Sequence, residues 1–127
     1  MTLWLIFHPD GIFEDDTAKE ALSADITKFY TDFGLPAFYV VADFIKMPEN
    51  SMWVGGKKPN KDKPLIRISI EHAVILPDLE DAYREWGMTW MEFWSLILRD
   101  KGYNWEFIIN QGGRNPWKIN GLVPPAF

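Results

Sequence analysis

A strand, a helix and a second strand, met twice along one chain, constrain this sequence more than any other feature. Leu3-Trp4-Leu5-Ile6-Phe7 is an unbroken apolar run that His8-Pro9-Asp10-Gly11 ends. A short run of this kind reads as a strand buried on both faces. Pro9 has no N–H to extend a ladder. Asp15 or Asp16 then caps a helix on which Leu22, Ile26, Phe29 and Phe33 form one apolar stripe. Gly34 suits the left-handed position after a helix, and Pro36 prevents continuation. Phe38 to Ile45 is aromatic and β-branched and reads as a second buried strand, ended by Pro48. Strands joined through a helix run parallel.

The second unit follows a loop over residues 50–64, with a turn at Gly55-Gly56. Ile66, Ile68 and Ile70 alternate with Arg67, Ser69 and Glu71, the signature of a half-buried strand. Pro77 opens a helix carrying Leu79, Tyr83, Trp86, Trp90, Phe93 and Ile97, a ladder of core or subunit contacts, and Gly102 closes it. Trp105 to Ile109 is the fourth strand. The expected architecture is α/β (α+β): βαβ units over about residues 2–47 and 64–110 share one four-stranded sheet, with both helices on one face, in a single domain of 127 residues. The other sheet face, expected to show Trp4, Ile6 and several aromatics, is left bare. Soluble monomers rarely expose such a patch, so self-association is expected.

Other classes are excluded by simple counts. Net charge is −5, and the cluster Lys57, Lys58, Lys61 and Lys63 is broken by Pro59, Asp62 and Pro64, so no nucleic-acid partner is expected. The apolar runs fall far short of the ~20 residues that cross a bilayer, so no membrane partner is expected either. There is no cysteine, hence no disulfide or thiolate site, and a cytoplasmic location fits. The two histidines, His8 and His72, lack metal-ligand spacing, so no metal is expected. His8 reads as a turn residue before Pro9.

Several fragments point to one family: Leu3-Trp4-Leu5-Ile6-Phe7-His8-Pro9, Gly34-Leu35-Pro36-Ala37-Phe38-Tyr39-Val40, Val54-Gly55-Gly56, Ile66-Arg67-Ile68 with His72, Lys101-Gly102-Tyr103-Asn104-Trp105-Glu106 and Trp117-Lys118-Ile119-Asn120-Gly121-Leu122-Val123-Pro124-Pro125. In order and spacing they resemble the fungal-type proteins related to cis-3-chloroacrylic acid dehalogenase, a branch of the tautomerase superfamily. The resemblance covers nearly the whole chain. It implies the fold shared with macrophage migration inhibitory factor, a homotrimer, no cofactor, and an amino-terminal proline acting as acid or base. It also implies arginines that bind substrate carboxylates, with a Tyr, a His and a Glu in support.

Carried over residue by residue, the resemblance puts Thr2 at the proline position and Tyr30 near that of the helix histidine. His72 takes the place of the first arginine and Ile75 of the second. Phe107 lies near the position of the strand tyrosine, and Lys118 or Ile119 near that of the glutamate. A free Thr2 offers a primary amine, able to act as a base or to form a Schiff base. With Met1 retained, Thr2 has only a non-basic amide nitrogen. Ile75 cannot clamp a carboxylate, so dehalogenation or hydration of an anionic acid is not expected. Thr2, Tyr30 and His72 are the expected catalytic residues. Arg114, Tyr39, Phe107, Trp117 and Ile75 are the expected lining for a small, rather apolar carbonyl substrate.

Plainer roles stand beside these. Tyr30 continues a helix stripe and suits packing. His72 ends a strand and suits a capped or solvated side chain, and Arg67 suits a salt bridge. The expected activity is tautomerisation or isomerisation of a carbonyl or enol compound. The alternatives are an inactive relative kept as a binding or structural trimer, and an enzyme whose chemistry has shifted to a larger apolar substrate.

Overall fold

A computed structural model describes residues 2–32, 34–72, 103–111 and 118–122. Strand β1 (Thr2–His8) leads through helix α1 (Asp16–Thr31) to strand β2 (Val40–Lys46), followed by β3 (Leu65–His72) and β4 (Asn104–Gln111). The sheet order is β2-β1-β3-β4. The pairs β1/β2 and β3/β4 are parallel, and β1/β3 is an antiparallel seam. This is the four-stranded mixed sheet that the resemblance implies. The expected second helix, with Ile75, Arg114 and Trp117, lies outside the described residues.

The ends of α1 follow from local chemistry. Asp15 adopts extended backbone and its carboxylate accepts from the Ala18 N–H at 2.6 Å, an N-cap. At the other end Leu35 N–H donates to Tyr30 O at 3.2 Å and Gly34 N–H to Thr31 O at 2.9 Å. These two bonds form a Schellman motif. Gly34 sits at φ +89, a conformation that glycine adopts without cost. The buried positions of α1 are Leu22, Ile26 and Tyr30, one per turn. Phe29 packs at the edge of the core, and Phe33 is outside the described residues.

Four expectations about the first unit need correction. Trp4 and Ile6 do not line the bare face. Both are fully buried under α1, on the same side of β1 as Thr2 and His8, while Leu3, Leu5 and Phe7 face the other way. An apolar run with no alternation cannot reveal which parity points to the core. His8 is likewise no turn residue: it closes β1 on the core side, 2% exposed, edge-on to Phe13 and Phe44. The second strand also begins later than Phe38. Pro36 starts a tight turn over Ala37–Tyr39, closed by Tyr39 N–H to Pro36 O at 3.1 Å, and only then does β2 pair with β1. As an edge strand, β2 is half-exposed rather than buried.

The core is completed by Ile66, Ile68 and Ile70 of β3, all fully buried, with Trp105, Phe107 and Ile109 of β4 packed beside them. Burying each isoleucine side chain contributes about 1.5–3 kcal/mol. The bare face carries Leu3, Leu5 and Phe7 on β1 and Ile108 on β4, 51% exposed. On its β3/β4 side Arg67 pairs with Glu106 at 3.3 Å and Glu71 accepts from Asn110 at 3.0 Å. The loop before β3 contains the expected turn: Val54 and Lys57 bridge across Gly55 and Gly56, at φ +60 and +79. No helix among the described residues is long and apolar enough to cross a membrane.

Candidate active site

The amino-terminal end of β1 meets the carboxy-terminal end of β3, so Thr2 lies directly opposite His72 in the antiparallel register. Directly opposed residues on one sheet face stand about 5 Å apart at Cβ. Their side chains point to the helix-covered side, where the last buried turn of α1 lays Tyr30 over them. The Tyr30 hydroxyl is hydrogen-bonded to His72 Nε2, and the two rings meet edge to face with centroids 5.4 Å apart. Thr2, Tyr30 and His72 have exposures of 0%, 0% and 1%.

Two further groups complete this cluster. The Trp4 indole Nε1–H donates to the Tyr30 oxygen at 3.0 Å. The Thr2 hydroxyl donates to the Tyr39 carbonyl at a long 3.4 Å. Tyr39 is 5% exposed, its ring set against Phe38 at 4.4 Å. The tight turn before β2 thus delivers Tyr39 to the first rung of β1.

Burial sets the charge state of the pair. It pushes the Tyr30 phenol well above its ordinary value, and the Trp4 N–H offsets only part of that. His72 is lowered to about 4, by burial first and then by the positive charge of the amino terminus. Both side chains are therefore neutral at pH 7. A neutral phenol and a neutral imidazole in contact can pass or share a proton, and each can donate to a developing oxyanion.

Of the expected site residues, the structure gathers Thr2, Tyr30, His72 and Tyr39. Phe107 is not among them. It pairs with Ile68, four rungs from His72, and stacks on Trp105 at 6.3 Å. At about 3.3 Å per residue that is roughly 13 Å along the strand. Trp4 is a residue the sequence reading missed, and parity would have found it: residues two apart on a strand share a face, so a Trp4 two positions after a site Thr2 must point the same way. Among the described residues no cluster of His, Asp and Glu suited to a metal ion is present. A separate cleft of about 490 Å³ lies at the opposite end of the sheet, between Pro9–Ile12, Lys46–Glu49 and Leu65.

Comparison with known proteins adds family evidence. The family described as "Putative oxalocrotonate tautomerase enzyme" matches residues 1–127. A crystal structure of a probable enzyme from the thermophilic fungus Aspergillus fumigatus is 33% identical, with a TM-score of 0.83 over 99% of this chain and 85% of that one. Native RhCC from Rhodococcus jostii RHA1 is 34% identical, with a TM-score of 0.84 over 98% of this chain and 86% of that one. N1, a member of the cis-3-chloroacrylic acid dehalogenase family, shares the fold with a TM-score of 0.71 at 11% identity, over 98% of this chain and 84% of that one. No curated protein matches.

Proposed function

We propose, from the premise that this chain belongs to the oxalocrotonate tautomerase-like family of the tautomerase superfamily, that it is an isomerase moving a proton between carbon and oxygen of a small carbonyl or enol compound. One observation supports the reading above others: Thr2, at the start of β1, stands against a hydrogen-bonded pair of neutral proton donors, Tyr30 and His72. In this mechanism removal of Met1 frees the Thr2 amine, which takes a proton from the substrate carbon. Tyr30 or His72 donates to the oxygen on which enolate charge grows. His72 stands where the resemblance places a carboxylate-binding arginine, and it is neutral at pH 7. An uncharged, rather apolar carbonyl compound is the substrate class this favours, with Tyr39 as one wall and Arg114, Trp117 and Ile75 as further proposed contacts.

The proposed assembly is a homotrimer, whose sister chains cover Leu3, Leu5 and Phe7. The proposed location is the cytoplasm. The test begins with the mass of the mature amino terminus, then an assay on phenylpyruvate-type enols. Wild type with a free Thr2 is expected to be active, and Tyr30→Phe to lose about 10²-fold in kcat. A retained Met1, or activity that appears only in Thr2→Pro, overturns the reading.

The alternative reading keeps the same buried polar network of Thr2, Tyr30 and His72 for packing in a binding or structural trimer. On that reading Tyr30→Phe lowers stability while an enol assay stays blank in every variant.

A further inference from the structure

Trp4 and His72 meet the Tyr30 hydroxyl with groups of different kinds, and the difference has a chemical outcome. An indole N–H can only donate. The Tyr30 oxygen therefore accepts from Trp4, at 3.0 Å, which leaves the phenolic hydrogen to be placed elsewhere. The Tyr30 hydroxyl meets His72 at Nε2. If the hydrogen goes there, Nε2 is an acceptor, and a neutral imidazole must carry its single proton on Nδ1. The opposite arrangement, Nε2–H donating to the Tyr30 oxygen, would put two donors on one phenolic oxygen.

We infer that Trp4 is a positioning residue for this site: its indole N–H orients the Tyr30 hydroxyl toward His72 Nε2 and thereby fixes His72 as the Nδ1–H tautomer. The placement is enforced by the sheet. Trp4 pairs with Ile70 of β3, two residues before His72 on the same face, so the indole and the imidazole flank the point where Tyr30 descends from α1. Trp4 is fully buried among core side chains, so its ring has little freedom to turn the N–H away.

The consequence for the proposed isomerase, on whose reading this role rests, is a site with its proton already sorted. Tyr30 holds a hydrogen aimed at the unprotonated imidazole nitrogen, and His72 presents its N–H from the other side of the ring. A site with mixed tautomers would hold the useful arrangement only part of the time.

The experiment reads the tautomer directly and needs no substrate. Imidazole ¹⁵N chemical shifts of His72, in protein labelled at histidine, report which nitrogen carries the proton. Wild type at pH 7 is expected to show a single Nδ1–H form. Trp4→Phe is expected to shift the tautomer ratio toward Nε2–H by about tenfold, the equivalent of one lost hydrogen bond. Replacing Trp4 by β-(3-benzothienyl)alanine keeps the bicyclic shape and removes only the N–H, and is expected to do the same; this covers the case in which Trp4→Phe does not fold. A wild-type His72 protonated on Nε2, or a ratio unmoved in the benzothienyl variant, overturns the inference. Failure of the isomerase reading would appear instead as no turnover with the tautomer shift intact.

Discussion

Thr2 and His72 are direct partners across the antiparallel seam of β1 and β3, so the first residue of β1 and the last residue of β3 share one buried spot. A sheet needs only a correct register to bring them together. Tyr30 then depends on where α1 ends, and Tyr39 on the tight turn that precedes β2. Three separate local decisions converge on a cluster that no stretch of sequence contains.

Stability is expected to depend on pH through His72. Its folded value is about 4 against an ordinary 6.5, so the unfolded chain binds the extra proton first as pH falls. The contribution is fully present above pH 6.5 and is lost progressively down to pH 4. Its full extent is about 3 kcal/mol. Urea titrations between pH 7 and pH 4 should show a steeper loss for wild type than for His72→Gln. Equal slopes would mean that His72 takes up its proton as easily folded as unfolded.

Gly34→Ala is expected to destabilise the protein by about 1 kcal/mol, because φ +89 is costly for any residue with a Cβ. Space is not the obstacle, since an added Cβ would meet nothing within 4 Å. Gly34→Asn, which tolerates the left-handed region better, should recover part of the loss. Because Leu35 N–H is bonded to the Tyr30 carbonyl, the alanine variant should also broaden the Tyr30 ring signals in NMR. A melting temperature equal to wild type would contradict this account of the helix end.

Leu5→Asp places a charge in the middle of the apolar half of the bare sheet face. The proposed trimer should dissociate, and sedimentation velocity should move from a three-chain to a one-chain species. Lys28→Ala, on the exposed side of α1, serves as the control and should sediment like wild type. An assembly unmoved by Leu5→Asp would place the subunit contact elsewhere.

Much of the fold was legible because punctuation and period agreed. Pro9, Asp15, Gly34, Pro36 and Pro48 each mark a boundary near the one observed, and the isoleucine alternation of β3 gave its buried face, with His72 in the same parity. What was hidden had a physical cause. The five apolar residues of β1 carry no alternation, so Trp4 and Ile6 were read onto the wrong face, and Trp4 was missed as a site residue. The β2 run looked buried because its edge position depends on strand order, which composition does not encode. Tyr30 was placed at the site by resemblance, but its bond to Trp4 rests on three-dimensional placement alone.

The seam between the halves has two ends, and each strand closes its end with a shielded histidine, His72 for β3 and His8 for β1. On the proposed mechanism only one end hosts a reactive nitrogen. In the proposed mechanism that nitrogen is the Thr2 amine, at the start of β1. β3 starts at Leu65, in mid-chain, where the nitrogen is locked in a peptide bond to Pro64 and has no lone pair to offer. However alike the two strand pairs become, covalent continuity would limit the proposed mechanism to a single workplace per polypeptide, and the proposed assembly to no more of them than it has chains.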